Sequence, residues 1–339
     1  MLILGGALVI NMKAWYMRAV NELEITDLNM PDRPTGTQVF VKNISFCICN
    51  GSDPGIFNGN AGYSFPMIYG HEACGIIEAV GENVTGFKIG DRISWWCTIG
   101  TFAEYMLVDV NEVAMFVVPE NLNDIYSSVI ELAIASSRAL MPFITGDNKL
   151  KDEYINKTLT ILGLGPSGLI ALQFAKYLGF KTVYGWDLYD MRRNLALKLG
   201  IDSAADPSAK DFKEAISAQT ESDIALDMMD DDILPGCNTF NNLIGTIKNY
   251  GIIVAYGHPE HGRIFKSDMF QGKNLTMISP ENNLDNIRRC GKLVMQGIKD
   301  GIIKIEPLVT HKCKFSQVKE MFFAMLKNPE NYIKIVFDI

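Results

Sequence analysis

The chain has 339 residues, of which 48% are hydrophobic and 21% charged, with a formal net charge of −8. That length and apolar content allow two domains with sizeable cores. The acidic balance argues against nucleic acid as a partner, because phosphates call for a basic face, and reads as a solvated acidic surface.

The apolar run Leu2–Ile10 is about half the roughly 20 residues a membrane span needs. It has no basic leader and no small-residue cleavage site. It reads as an N-terminal extension with a short strand, with Met12-Lys13-Ala14 an equally good start of the domain. No other stretch approaches transmembrane length, so no membrane partner is expected. There is no internal repeat and no low-complexity tract.

Residues 1–145 read as a β-rich domain. Gln38–Lys42 alternates apolar and polar residues, as a half-buried strand does. Gly75–Val80 and Phe102–Val108 are further strands, and Gly81-Glu-Asn and Gly86–Asp91 are turns between them. Short strands at close spacing predict a partly open barrel. Leu132–Leu140 has a helix-like texture.

The texture changes after Thr145, and residues 146–288 read as a dinucleotide-binding domain. Strands are predicted at Thr158–Leu162, Lys181–Trp186, Asp223–Asp227, Gly251–Tyr256 and Leu275–Ile278. Helices are predicted at Leu169–Leu178 and Arg192–Leu199. Alternating strand and helix predicts a parallel, doubly wound α/β sheet. Residues 289–339 complete a helix over Ile287–Gly297, then give a helix at Val318–Leu326 and a strand at Ile333–Phe337. This tail is expected to return to the first domain.

Gly163-Leu-Gly165-Pro166-Ser167-Gly168 follows a strand and opens a helix, and Asp187 ends the next strand 19 residues after Gly168. This is the context that gives a Gly-x-Gly-x-x-Gly its meaning. Gly163 permits the tight turn, Gly165 clears the approach of a pyrophosphate, and Gly168 lets helix and strand meet. The helix N-terminus offers free N–H groups to phosphates. Asp187 would accept hydrogen bonds from the adenosine ribose and repel a 2′-phosphate, which favours NAD over NADP. Arg192 and Arg193 stand close enough in sequence to oppose that preference.

The stretch Tyr69-Gly70-His71-Glu72 holds one of only four histidines, with Cys49 22 residues upstream of His71 and Glu131 downstream. A cysteine, a histidine and one or two carboxylates can hold Zn²⁺ and leave a position open for substrate. Each residue alone has a plainer reading. Cys49 would be a core thiol, His71 a hydrogen-bonded histidine and Glu131 a helix N-terminal acid. Cys47, on the same strand face as Cys49, is either a packed neighbour or the alternative ligand. The seven cysteines are odd in number and lack framework spacing, which suits a reducing cytoplasm.

Several motifs together resemble the medium-chain dehydrogenase/reductase superfamily, in its zinc-dependent alcohol and polyol branch. They are Ile48-Cys49-Asn-Gly-Ser52-Asp53, Gly70-His71-Glu72-x-x-Gly75, Val80-Gly-x-x-Val84, Gly90-Asp91-Arg92-Ile93, Phe102-Ala-Glu-Tyr105 and Gly163-x-Gly-x-x-Gly168. The resemblance spans nearly the whole chain. It implies a GroES-like catalytic domain and a Rossmann domain. It also implies a catalytic zinc held by Cys49, His71 and Glu131, with Glu72 a neighbouring acid that ligates in some members. Asp53 would orient the histidine, Ser52 would pass the substrate proton, and Lys334 would lie near the pyrophosphate. Glu131, where members carry Cys, Asp or Glu, resembles the sorbitol-type branch.

The chain departs from the pattern in four places. Asn50 is an extra residue between Cys49 and Gly51. Gly55 stands where a proton-relaying histidine is common, and Arg138 where a second histidine is common. Between Asp91 and Phe102 there is one cysteine, Cys97, where a structural zinc needs four ligands, so no second zinc is expected.

The expected activity is reversible oxidation of a secondary alcohol, polyol or sugar type, by NAD. Zn²⁺ would acidify the hydroxyl, and Ser52, Asp53 and Glu72 would be the catalytic residues. Phe46, Phe57, Trp95 and Trp96 are either pocket walls or ordinary packing. The family implies a homodimer or homotetramer. Two other readings stand beside this one: a zinc-independent quinone or enone reductase on the same fold, and a dinucleotide-binding sensor whose metal site Asn50 has spoiled.

Overall fold

The computed structural model describes residues 3–4, 7–8, 11–96, 98–230, 239–259 and 262–339. Cys97, on which the expectation of a missing structural zinc rests, lies outside them. The chain forms two compact units. The first is Met1–Ile134, Ile287–Gly301 and Ile305–Ile339; the second is Ala135–Asn286 and Ile302–Lys304. The first boundary thus falls inside the helix Ile130–Ser137 rather than after residue 145. Phe143 explains the difference, because it packs edge-on against Tyr154 and Phe180, with ring centroids 4.9 and 6.3 Å away. Ile144 also bridges Leu150. Residues 302–304 join the second unit because the Gln173 side-chain amide bonds both N–H and C=O of Lys304.

In the first unit, β1 (Ile3–Leu4) and β2 (Ala7–Leu8) pair antiparallel. The strands β3 (Asn11–Ala19), β4 (Glu22–Asn29) and β6 (Met67–Ile68) make a three-stranded antiparallel sheet. A larger sheet is built on β5 (Gln38–Cys47), which pairs with both β7 (Ala73–Val80) and β9 (Tyr105–Asp109). The strand β8 (Arg92–Trp96) joins β7, and β10 (Ala114–Val117) joins β8. The burial of β5 alternates at first and becomes continuous over Ser45–Cys47, where the strand passes into the core. There Phe46 stacks on Phe102 and Phe337 at centroid distances of 4.2 and 5.2 Å. Phe46, Phe57 and Trp95 all belong to this core, so they are packing residues.

Among the described residues the second unit has six parallel strands: β11 (Thr158–Leu162), β12 (Thr182–Trp186), β13 (Ser203–Ala205), β14 (Ser222–Asp227), β15 (Ile247–Ala255) and β16 (Thr276–Ile278). Their order is β13-β12-β11-β14-β15-β16, so the direction of winding reverses between β11 and β14. In such sheets ligands bind outside the carboxyl ends of the strands at that reversal. Every residue of β11 is buried, as a central parallel strand covered on both faces requires. The helix Pro166–Leu178 follows β11 and is closed by Gly179 in the left-handed region, with φ 93°.

Asp223 ties three strand starts together. Its carboxylate accepts from Thr158 N–H at 3.0 Å, Lys157 Nζ at 3.0 Å and Lys248 Nζ at 2.9 Å. Burial pushes its pKa up, but the Thr158 N–H and the two lysines outweigh this and hold it below the ordinary value. A carboxylate depressed in the folded state stabilises above its unfolded pKa, about 3.9, and that stability disappears as pH falls through the lower folded pKa. Asp223→Asn is expected to cost about 1 kcal/mol at pH 7, since the lysines are half exposed, and almost nothing well below pH 3. Urea melts of both proteins at the two pH values test this, and a gap that persists in acid would count against it.

The helix Leu284–Lys299 leads back to the first unit. There β17 (Val309–Lys314) pairs parallel with β18 (Lys334–Asp338), and β18 pairs antiparallel with β5, setting Phe337 opposite Phe46 and Val336 opposite Cys47. The return of the tail has a local consequence: it brings Lys334 to the end of β5. No helix among the described residues is long and apolar enough to cross a membrane.

Candidate metal centre and dinucleotide site

Cys49 lies just beyond the end of β5, in a turn closed onto itself. Its N–H donates to Asp53 Oδ2 at 2.9 Å, its C=O accepts from Asp53 N–H at 3.3 Å, and Ser52 N–H points at its Sγ from 3.4 Å. The extra residue Asn50 is absorbed here, with Gly51 in a helical conformation ahead of the short helix Ser52–Phe57. The cysteine therefore stays within reach of the histidine. The same turn buries Asp53 completely, and Tyr69 Oη donates to the Asp53 carbonyl at 2.6 Å. Gly70 has φ 81°, and a Cβ there would lie 2.0 Å from the Phe102 ring. Only glycine lets the chain turn at that point and present His71 and Glu72 beneath the Cys49 turn.

One ligand atom from each of Cys49, His71 and Glu72 lies within 4.8 Å of the others. His71 Nδ1 is 3.4 Å from Asp53 Oδ1, and its Nε2 is 3.9 Å from Glu72 Oε1. Asp53 thus faces one ring nitrogen and leaves the other toward the cluster, the arrangement by which a carboxylate sets the tautomer of a metal-binding histidine. Burial lowers the pKa of His71, but Cys49 and Asp53 raise it further, so the net shift is upward.

Glu72 is wholly buried and already has partners. Lys334 Nζ lies 2.9 Å from its Oε1 and 2.6 Å from its Oε2, and Cys47 Sγ donates to Oε2 at 2.7 Å. Burial pulls the pKa of Lys334 down, yet Glu72 overrides this and raises it, so the ammonium stays charged. Burial, and then Glu72, push the Cys47 thiol up, so it remains an S–H donor. The Lys334 side chain is 0% exposed and pairs with the acid next to His71. Nothing in the sequence signalled this pair, whose members are 262 residues apart. Cys47 was legible only as a neighbour of Cys49.

Glu131 sits in the first turn of the helix Ile130–Ser137 and is 5% exposed. It is not among the atoms clustered with Cys49, His71 and Glu72. Ser52 is exposed at the start of its helix. Arg138, standing where the family often has histidine, donates to the carbonyl of Ala135 and to Asn282 Oδ1 and lies over the Tyr256 ring.

In the second unit the glycine loop has the geometry its spacing predicts. Gly163 has φ 91°, and a Cβ on Gly168 would fall 1.9 Å from the Gly163 carbonyl oxygen. A Cβ on Gly165 would meet only Arg192 Nη1, at 3.7 Å, so the approach to Pro166 and Ser167 at the helix start is open. Asp187 ends β12. Its Oδ2 accepts from Leu164 N–H and its Oδ1 from Tyr189 N–H, both at 2.9 Å. Arg192 Nη1 is 3.5 Å from Asp187 Oδ2, and its guanidinium stacks over Tyr189 at 4.6 Å. Arg193 is turned away, donating to the Asp187 carbonyl and pairing with Asp190 and Asp206.

A sheet unit carrying a Cys-His-Glu cluster, joined in one chain to a Rossmann unit, defines a metal- and dinucleotide-binding oxidoreductase architecture. Family comparisons agree. Residues 35–120 match the alcohol dehydrogenase GroES-like domain and residues 166–281 the zinc-binding dehydrogenase domain. The chain belongs to the zinc-dependent branch of the medium-chain dehydrogenase/reductase superfamily and is an enzyme of the alcohol and polyol dehydrogenase type. It is 24% identical to the L-threonine 3-dehydrogenase of Chromobacterium violaceum, over 95% of this chain and 98% of that one. Its fold matches that of an alcohol dehydrogenase from Escherichia coli CFT073 solved with NADH (TM-score 0.81, 22% identity, 97% and 99% coverage). It also matches 2R,3R-butanediol dehydrogenase from Bacillus subtilis (TM-score 0.80, 23% identity, 97% and 99% coverage).

The donor set fits the zinc that this family implies. Zn²⁺ is a borderline ion that accepts a soft thiolate, an imidazole and a hard carboxylate oxygen alike, and three protein ligands leave a position for a substrate oxygen.

Proposed function

We propose that this enzyme oxidises a secondary alcohol of polyol or sugar type with NAD⁺, reversibly, at a single catalytic zinc. The observation that carries the reading is the approach of Cys49, His71 and Glu72 to within 4.8 Å, with Asp53 at the far side of the imidazole. Cys49 and His71 would hold the metal, with a carboxylate from Glu72 or Glu131 completing the set. A bound Zn²⁺ supplies Lewis acidity that lowers the pKa of an alcohol hydroxyl.

The chain's own residues do the rest. Asp53 faces His71 Nδ1 at 3.4 Å and accepts from the Cys49 N–H at 2.9 Å, which orients both donors. Lys334 pairs with both carboxylate oxygens of Glu72 inside the protein. Ser52, exposed at the mouth of the turn, accepts the hydroxyl proton on its Oγ and hands it to solvent, since Gly55 offers no relay. Gly163, Gly165, Pro166, Ser167 and Gly168 receive the pyrophosphate, and Asp187 accepts the ribose hydroxyls. The fixed Asp187 carboxylate favours NAD, and Arg192, 3.5 Å away, moderates that preference without reversing it. No second, structural zinc is proposed, and the enzyme is taken to be cytoplasmic and a homodimer or homotetramer. L-Threonine and 2R,3R-butanediol, named for two relatives, are both secondary alcohols with a polar group on the next carbon, which supports the substrate class.

Zinc content per chain and NADH formation over a panel of secondary alcohols, diols and polyols test this. The expected result is about one zinc per chain, with the metal and turnover both lost in Cys49→Ala. A protein that takes up no zinc when reconstituted would sink the proposal. Turnover of polyols with NADP⁺ but not NAD⁺ would overturn the cofactor preference alone.

A further inference from the structure

A dinucleotide crossing this sheet has its adenosine end at Asp187, on the β12 side, and its pyrophosphate at Gly163–Gly168. Its other half must therefore run toward β14 and β15, past the reversal of strand order. The wall it meets there is the turn Asp227–Asp230. Met228 N–H donates to the Leu162 carbonyl at 2.8 Å, which carries this turn alongside Gly163. Met229 is held between two glycines. Its Cγ is 3.0 Å from where a Cβ on Gly163 would stand, and its carbonyl oxygen is 1.6 Å from where a Cβ on Gly257 would stand.

Backbone contacts with glycine position such a turn but do not hold it, and Arg263 supplies the hold. Its Nε donates to Asp227 Oδ2 at 2.8 Å and its Nη2 to Asp227 Oδ1 at 2.9 Å, a two-pronged pair with a carboxylate that is 3% exposed. The same Nη2 donates to the Met229 carbonyl, and Nη1 donates to the Asp230 carbonyl at 2.7 Å. Tyr256 and Gly257 N–H groups close onto the Asp227 carbonyl at 3.0 and 2.9 Å. One guanidinium thus fastens the turn after β14 to the segment after β15. A lysine could reach the carboxylate but could not satisfy it and both carbonyls in one plane.

We propose that Arg263, paired with Asp227, is a positioning residue for the nicotinamide half of the dinucleotide. It fixes the Met228–Met229 turn opposite Gly163 without itself touching the adenosine half. The proposal rests on the dinucleotide reading above. Dissociation constants for NADH, NADPH and ADP, measured by calorimetry on wild type, Arg263→Lys and Asp227→Asn, test it. ADP carries the adenosine and pyrophosphate parts only.

In both variants the preferred reduced dinucleotide should bind about tenfold more weakly, the scale of one lost buried hydrogen bond. ADP affinity and zinc content should hold close to wild type, while the melting temperature should fall in both variants because each disturbs a buried ion pair. The KM for the oxidised cofactor should rise more than kcat falls. Parallel weakening of ADP would reduce the pair to a purely structural role, and unchanged NADH binding would overturn the proposal outright. A wild-type protein that binds ADP but neither reduced dinucleotide would overturn the cofactor reading and this inference with it.

Discussion

Lys334→Met should lower the unfolding free energy by about 3–5 kcal/mol at neutral pH, the cost of leaving a buried carboxylate without its counter-ion. Glu72 and Lys334 are both wholly buried, and Cys47, the other partner of the carboxylate, is a weak neutral donor. The loss is a large fraction of the 5–15 kcal/mol typical of a folded protein, so the variant should melt well below wild type. Adding Glu72→Gln removes the stranded charge, and the double variant should recover part of the loss. Urea unfolding of the four proteins gives the coupling between the residues. A coupling near zero would mean that the ammonium has another partner of equal weight. A methionine that is tolerated at no cost would mean that Glu72 protonates freely in place.

The second large effect concerns Asp53. Asp53→Asn keeps the shape of the side chain but exchanges a carboxylate for an amide opposite His71 Nδ1 and the Cys49 N–H. Zinc affinity should fall about 10- to 100-fold, the usual consequence of removing a carboxylate behind a metal-binding histidine. His71→Ala, which removes a donor itself, should fall further and lose the metal on dialysis. Competition against a chromophoric chelator reads both. Wild-type affinity in Asp53→Asn would show that the imidazole is oriented by packing alone and would remove Asp53 from the machinery. An intact far-ultraviolet spectrum and ADP affinity in each variant separate loss of metal from loss of fold.

Short-range patterns carried the parts of this protein that local chemistry decides. The strand Thr158–Leu162 was readable to the residue because a central parallel strand is apolar throughout. The loop Gly163–Gly168 and Asp187 were readable because strand, turn, helix and acid follow one another within thirty residues. His71 stood out through its rarity and its glycine neighbour. Element ends were less certain: Gln38–Lys42 extends to Cys47 as β5, since burial on both faces erases the alternation that marks a half-exposed strand. The strands β3, β4, β8, β10 and β17 carried signals too weak for their neighbours in space to be guessed.

By itself, then, the sequence determined the fold class, and it marked out the glycine loop with its acid and the pair Cys49 and His71 as candidate sites. Those features depend on residue types at fixed spacing along one stretch of chain. Only the tertiary structure decided which acid stands beside that pair and what lies behind it. The placement of Glu72 rather than Glu131 in the cluster, the pairing of Lys334 with Glu72, and the clamp of Arg263 on Asp227 all depend on strand order. In the last two the return of a distant segment sets two charges within 3 Å, and burial then makes their pairing obligatory.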